Sequence, residues 1–354
     1  MLNLDNSKQL ALIVNDAIKN KQPLKIFGGN SKSFYGPKSK GEPVCVAEHC
    51  GVINYQPEEL VLTVRAGTTL SEIESILAEQ NQKLIFEPPH FGAKATIGGA
   101  ISSDINGPSS PWFGSVRDAV LGVKIINGQG EILHFGGEVM KNVAGYDVSR
   151  LMVGSMGTLG LLLEISLRIL PLEKKTITFL LETTEEEAIQ RCSQLNRQHL
   201  PLSAMVYYNN LLYIRLSGNI ASVNSAYKTL GGELLTDNNF WYSIREHTHP
   251  FFYQTGTLWR ISVPPATPPI NDLDGHWLID WGGAQRWFIS DMAAEVVYAK
   301  VADVHGHATI YRNIDSIGDV FHPLTTSQRH LHKMVKQAFD PHRIFNPGRL
   351  YADL

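Results

Sequence analysis

The sequence predicts an α+β protein of two domains, and three observations carry that expectation. At about 150 residues per domain, 354 residues suggest two, each able to bury its own core. Twenty of the 30 glycines precede residue 173 while five of the six tryptophans follow it, so the first half needs backbone where side chains would not fit. The second half orders its elements β-α-β-β-α-β, the split ferredoxin-like arrangement of an antiparallel sheet with helices on one face.

Taken in order, Asn6 and Ser7 are placed to cap a helix whose Leu10, Ile13, Val14, Ala17 and Ile18 share one side, ending before Pro23. Leu24 to Phe27 reads as a strand running into Gly28-Gly29-Asn30-Ser31. Leu60 to Arg65 is a second strand. Thr69 and Glu72 form a capping box for a helix carrying Leu70, Ile73, Ile76 and Leu77, and Lys83 to Phe86 is the next strand. From Phe91 to Gly160 the pattern changes to glycine-rich loops, interrupted by a hairpin of Val120–Ile126 and Glu131–Phe135 and a helical turn at Asp147–Met152. Leu161 to Ile169 is a strand stopped by Pro171, where the domain boundary falls.

Beyond it, strand Thr176–Glu182, helix Thr184–Gln198, strands Ala204–Tyr208 and Leu211–Ser217, helix Ile220–Leu230 and strand Glu233–Leu235 make the first ferredoxin-like set. A similar run follows with strands at Leu258–Val263, Trp277–Asp280, Arg286–Ser290 and Ala308–Arg312, and a helix around Met292–Ala302.

Composition excludes several functions. With 31 Lys+Arg against 34 Asp+Glu the chain has no electrostatic footprint for nucleic acid, and 43% hydrophobic content is too high for disorder. Cys45, Cys50 and Cys192 form no Cys-x-x-Cys pair, so neither a disulfide framework nor an iron–sulfur cluster is encoded. His49 lies between two of them without a fourth ligand, and no metal is expected. The first twenty residues lack the basic and apolar regions of a secretory signal. The longest apolar run, Leu159–Leu170, is broken by Glu164, Ser166 and Arg168, short of the roughly 18 residues a membrane span needs. A cytoplasmic protein is expected.

Three glycine clusters are candidates for chemistry: Gly28-Gly29-Asn30-Ser31, then Thr96-Ile97-Gly98-Gly99-Ala100-Ile101-Ser102-Ser103, then Gly154-Ser155-Met156-Gly157-Thr158-Leu159-Gly160. Alone, the first reads most simply as a turn and the second as an even choice between turn and ligand loop. The third has Rossmann spacing but the wrong context, because its helix comes before it and its strand after. No P-loop is present. Taken together and in this order, with Phe113-Gly114 and Val116-Arg117-Asp118 between them, the clusters resemble the flavin-binding half of the vanillyl-alcohol oxidase and p-cresol methylhydroxylase superfamily. The terminal Phe339-Asp340-Pro341-His342-Arg343-Ile344-Phe345-Asn346-Pro347-Gly348 is similar to the chain end of its 2-hydroxy acid branch. Lys141 to Leu151, reading Lys-Asn-Val-Ala-Gly-Tyr-Asp-Val-Ser-Arg-Leu, resembles the FAD-binding E-type subunits of bacterial glycolate oxidases.

The resemblance implies a two-lobed FAD-binding domain of the p-cresol methylhydroxylase type over residues 1–172, an antiparallel cap over 173–335, and a tail, 336–354, returning to the FAD domain. Gly28, Gly29, Asn30 and Ser31 would hold the pyrophosphate; Thr96, Gly98, Gly99 and Ser102 would line flavin and phosphates; Gly154, Gly157 and Thr158 would close over the adenosine side. Asn30 stands at or near a His that bonds the flavin covalently in several relatives, which implies non-covalent FAD. Met156 replaces a frequent Glu. In the cap, Val304-His305-Gly306-His307-Ala308-Thr309-Ile310-Tyr311-Arg312 departs from the His-x-Gly-Asp-Gly-Asn-x-His metal signature by losing the acid and the last His. The resemblance leaves His305 or His307 as the base for a small 2-hydroxy acid such as glycolate, and Arg312, Arg286 or Arg260 as the carboxylate clamp. It implies partners too: a D-type catalytic flavin subunit and an iron–sulfur subunit, through which any contact with the inner face of the membrane would be made. A stand-alone flavin dehydrogenase for another hydroxy acid or alcohol, and a non-catalytic assembly subunit, are the competing readings.

Overall fold

The structure is a computed structural model that describes residues 2–137, 147–312 and 320–354. Two compact units divide the chain: Met1–Asn106 with Gly114–Pro171 and Leu324–Leu354, and Gly107–Phe113 with Leu172–Pro323. Most of the Lys141–Leu151 motif, 141–146, lies outside the described residues.

The first unit opens with α1 (Ser7–Asn20), which buries Leu10, Val14 and Ala17. The expected cap Asn6 makes no side-chain bond. Asp5 takes its place: its carboxylate accepts the Ser7 N–H at 2.9 Å and the Ser7 hydroxyl as well, and these bonds hold its pKa at about 2. β1 (Leu24–Phe27) and β2 (Glu42–Cys45) pair in parallel. β3 (Val52–Gln56) and β4 (Val61–Arg65) lead to α2 (Leu70–Glu79), where Thr69 and Glu72 make the expected capping box, and then β5 (Gln82–Leu84).

The glycine-rich stretch that the sequence suggested was loop contains a helix, α3 (Ile97–Ser103), capped by the Thr96 hydroxyl, which accepts the Gly99 N–H at 3.3 Å. Two glycines in seven residues argue against a helix on propensity. They are tolerated because the segment is packed tightly: Ile97, Ala100 and Ile101 are fully buried, and Gly98 donates its N–H to Ala66 O at 2.8 Å. After α4 (Ser110–Phe113), which belongs to the second unit, come α5 (Val116–Ala119), the hairpin β6 (Val120–Ile126) and β7 (Ile132–Gly136), α6 (Val148–Leu151) and β8 (Leu161–Pro171).

The main sheet of this unit runs β3-β4-β8-β6-β7, with β5 also paired to β8. β8 is sandwiched, which is why it reads as a nearly unbroken apolar run rather than an alternating one. Its Leu162, Ile165, Leu167 and Ile169 join the core under α2 and α3, while Leu161 and Leu163 join the core under α1.

In the second unit β9 (Lys175–Glu182), α7 (Glu185–Leu195), β10 (Leu202–Tyr208), β11 (Leu211–Gly218), α8 (Ile220–Leu230) and β12 (Glu233–Leu234) follow the expected order. Next are α9 (Phe240–Arg245), β13 (Thr257–Ser262), β14 (His276–Asp280), β15 (Gln285–Ser290), α10 (Ala294–Asp303) and β16 (His307–Arg312). The two strand sets merge into a single antiparallel sheet, β12-β9-β11-β10-β14-β15-β13-β16, joined where Tyr207 pairs with Ile279. Helices α7, α8 and α10 cover one face through two apolar cores. The opposite face is also covered: Phe240 of α9 stacks on Tyr213 at 4.1 Å and Phe251, in the 3-10 turn Pro250–Tyr253, meets Tyr208 at 5.7 Å. That second cover has no strong period and was not legible in the sequence.

The last helix, α11 (Thr326–Phe339), belongs to the first unit, where Val335 and Phe339 pack on the core. The boundary drawn from sequence at residues 335/336 runs through this helix. No helix among the described residues is long and apolar enough to cross a membrane.

Candidate cofactor site

A cavity of about 440 Å3 opens in the first unit between the loop that leaves β1, helix α3 and the C-terminal tail. Gly28, Gly29, Asn30, Ser31, Thr96, Gly99 and Ser102 line it. An adjoining hollow of about 80 Å3 adds Gly98 and Gly157. Gly154 and Thr158 line neither. The Gly154 N–H donates to Ile101 O at 3.0 Å, while the Thr158 hydroxyl turns back to donate to Ser155 O at 2.7 Å. These two residues shape the third glycine segment and fasten it to α3.

Close approach explains the first glycine pair. A Cβ on Gly29 would lie 1.5 Å from Lys94 O, and one on Gly28 would lie 2.2 Å from the Thr96 hydroxyl oxygen. The loop therefore rests directly on the 94–96 segment, and the cavity wall there is backbone. Asn30 has φ +58, a left-handed conformation that Asn tolerates better than most residues.

Several lining residues were not found by sequence reasoning. Asn346 joins three segments: its amide accepts the Ile26 N–H at 2.7 Å and donates to Met156 O at 2.8 Å, while its own N–H donates to Leu24 O at 3.0 Å. Lys25, Lys32, Lys38 and Arg349 are the cations of the wall, and no carboxylate is among its described lining residues. The signal for Asn346 was present in the terminal motif; the lysines and Arg349 sit in no pattern.

Tail docking depends on a buried ion pair. The Lys336 ammonium donates to Asp340 Oδ2 at 2.8 Å, Thr158 O at 2.7 Å and Phe345 O at 3.0 Å. Asp340 in turn accepts the N–H groups of Ile344 at 3.1 Å and Phe345 at 2.9 Å. All three ammonium protons are thereby satisfied, the condition under which a buried charge is tolerable. Burial still holds the Lys336 pKa below the usual lysine value.

In the second unit the candidate histidines separate. Two residues apart on one strand, His305 and His307 would share a face; instead His305 occupies the turn after α10 with φ +60, its N–H bonded to Ala302 O at 2.9 Å. His307 begins β16 and sits in a cross-strand row with Ser262, Gln285 and Asp280. Burial, then the charges of Arg260 and His322, hold its pKa below the usual histidine value. Arg286 is consumed by the fold, donating to Gly283 O, Thr267 O and, at 2.9 Å, Pro268 O. Arg260 donates to Gln285 Oε1 at 2.8 Å and lies 5.6 Å over the Trp281 ring. Arg312 ends β16, paired with Leu258. Among the described residues no group of three His, Cys, Asp or Glu is placed to hold a metal ion.

Residues 2–136 match the family model of an FAD binding domain. Over 351 residues, 99% of both chains, the sequence is 47% identical to glycolate oxidase subunit GlcE of Escherichia coli (strain K12). It is 30% identical to glycolate oxidase subunit GlcD of Bacillus subtilis (strain 168) over 52% of this chain and 40% of that one. D-lactate dehydrogenase of Anaerostipes hadrus is 27% identical over 57% of this chain and 43% of its own. The fold is similar to that of an alkyldihydroxyacetonephosphate synthase, with a TM-score of 0.67 over 96% of this chain and 74% of that one at 14% identity. The cavity suits FAD, since backbone lies close to its space and its charged lining is cationic. Likeness along the whole of both chains, together with an FAD binding domain whose glycine loops form the cavity, makes this protein a member of the FAD-binding glycolate oxidase E-subunit family.

Proposed function

We propose that this chain is the FAD-carrying subunit of a complex that oxidises glycolate to glyoxylate and passes the electrons, one at a time, to iron–sulfur clusters on a partner. The observation that supports it most is the full-length likeness to GlcE, a glycolate oxidase subunit. A D-type flavin subunit is the second partner in this reading. Bound FAD supplies a hydride acceptor. The chain's own groups have the remaining tasks. His307, held neutral at pH 7 by its lowered pKa, accepts the hydroxyl proton, and Arg312 or Arg260 holds the carboxylate. His305 is the weaker candidate for base because it lies in the turn before the strand. Asn30 carries an amide, which forms no covalent bond to the flavin, so the cofactor should leave on denaturation.

The test is to load the isolated chain with FAD, add glycolate without oxygen and follow flavin absorbance. Bleaching places the oxidation on this chain. A flavin that stays oxidised in the isolated chain but is reduced when the partners are added assigns it to electron relay. Failure of a cysteine-rich partner to co-purify, with full activity in the lone chain, would favour a stand-alone dehydrogenase instead.

A further inference from the structure

Asp280 is a buried carboxylate at the hub of a short polar chain on the sheet of the second unit. Its Oδ1 accepts the Trp281 N–H at 2.7 Å, and its Oδ2 accepts the Gln285 side-chain amide at 3.3 Å. Gln285 is buried too, and its Oε1 accepts the Arg260 Nε–H at 2.8 Å. The Trp281 ring lies 5.6 Å from the same guanidinium and is itself pinned, donating its indole N–H to Gly107 O at 3.0 Å. Both groups that hold Arg260 are therefore attached to Asp280. Trp281 keeps φ +54, a left-handed conformation that a bulky residue adopts only where its surroundings fix it.

The order of donors and acceptors fixes the direction of the chain. A guanidinium N–H only donates and a carboxylate only accepts, so one orientation of the Gln285 amide satisfies both ends. Arg260 is half-buried, and among the described residues the bond from Nε is its one hydrogen bond. Nη1 and Nη2 remain as a planar fork, the geometry that meets a carboxylate end-on. Sheet register brings this fork to the candidate base. Ser262 pairs with His307 and Arg260 with Thr309, so Arg260 and His307 are diagonal neighbours on one face of β13 and β16. Such neighbours stand about 7–8 Å apart, a spacing that suits an acid whose hydroxyl and carboxylate sit on adjacent carbons. The effect of the Arg260 charge on the His307 pKa agrees with that proximity. Arg312 lies beyond a register shift at the other end of β16, and Arg286 is taken up by three carbonyls.

We propose that Arg260 is the cation that takes the substrate carboxylate, end-on through Nη1 and Nη2, and that Gln285 and Asp280 are positioning residues that aim it. The inference rests on the reading of glycolate as substrate and deepens it. The site selects small 2-hydroxy acids by their charge, and an uncharged analogue with the same hydroxyl is a poor ligand.

The FAD-loaded full-length chain with its partner subunits is assayed for glycolate oxidation, with glycolamide, the uncharged analogue, as a competing ligand. Arg260→Met should raise KM for glycolate about 100-fold and leave the glycolamide inhibition constant within about twofold, and added guanidinium should restore part of the loss. Arg260→Lys should recover little, since lysine has neither the fork nor the Nε donor that meets Gln285. Gln285→Met and Asp280→Asn should each raise KM about tenfold with kcat within about threefold. Asp280→Asn sets an amide NH2 against that of Gln285, donor against donor, so Gln285 no longer presents Oε1 to Arg260. A second measurement needs no variant: oxalate should protect Arg260 of the wild type from phenylglyoxal, read by peptide mass spectrometry, and glycolamide should not. Normal glycolate kinetics in Arg260→Met, equal losses for glycolate and glycolamide, or no protection by oxalate would each overturn the clamp. An unchanged KM in Gln285→Met and Asp280→Asn would overturn the positioning chain. A wild-type complex that neither binds nor oxidises glycolate would overturn the substrate reading and the clamp with it.

Discussion

The two units make their candidate functional surfaces in opposite ways. In the first, Gly29 brings backbone onto the Lys94 carbonyl and Gly28 brings it onto the Thr96 side chain, and there is no room for a methyl group at either position. In the second, the candidate face is made of side chains standing on a continuous sheet: His307, Ser262, Gln285 and Asp280 form a row across β16, β13, β15 and β14. A backbone-built site fails when an atom is added, whereas a side-chain-built site loses one group and keeps its frame. The first unit should therefore show its defects in folding and cofactor retention, and the second in rate and pH dependence.

Four substitutions bear on that contrast. The largest effect is expected at Asp340→Ala, which leaves the Lys336 ammonium buried and unpaired and frees the Ile344 and Phe345 amides; a loss of about 3–5 kcal/mol in denaturant unfolding is anticipated. Little change there would mean that the tail is not held by this pair. Gly29→Ala should follow, at about 3 kcal/mol, because Lys94 O blocks the new Cβ and the obstacle is backbone. A yellow, normally stable Gly29→Ala protein would break the contrast at its root.

His307→Gln tests the second unit. It should leave FAD content and melting temperature near wild type while lowering kcat on glycolate about 100-fold, the low end of general-base contributions. In the wild type the rate should fall as pH drops below the ordinary histidine range, since only neutral His307 accepts a proton and its pKa is lowered. An unchanged kcat would move the base elsewhere, to a partner included.

The smallest effect is a pH slope. Burial raises the Asp280 pKa to about 7, against the opposing bonds from the Trp281 N–H at 2.7 Å and the Gln285 amide at 3.3 Å. Because its folded pKa lies above the unfolded value near 4, the folded state holds the extra proton between the two. The stabilisation is complete below the unfolded pKa and is lost as pH rises through about 7. Asp280→Asn should flatten the stability profile between pH 5 and 7 by on the order of 1–2 kcal/mol. An identical slope in both proteins would mean that Asp280 stays charged throughout.

Much of the fold was legible because its signals are local. Thr69 with Glu72, and Gly231 after Leu230, mark helix ends within four residues. The unbroken apolar run of β8 marks a strand buried on both sides. Where the expectation failed, a distant neighbour decided. Helix α3 forms despite Gly98 and Gly99 because it is packed under β4 and β8, and Asn6 yields its capping role to Asp5. Arg286, a fair clamp by residue type, is spent on three carbonyls that only the folded loop brings near.

The sequence alone determined the order of the glycine clusters and the antiparallel ferredoxin-like pattern, since glycine placement, capping and apolar period are written within a few residues; the flavin expectation came from the family resemblance that those clusters carry together. The tertiary structure decided what closes the cofactor cavity. Asn346 reaches Met156 and Ile26 across 190 and 320 residues, and Lys336 ties Thr158 to the tail across 178. Such contacts leave no local mark, because a single asparagine, lysine or arginine gains its role only when folding supplies the carbonyls and charges around it.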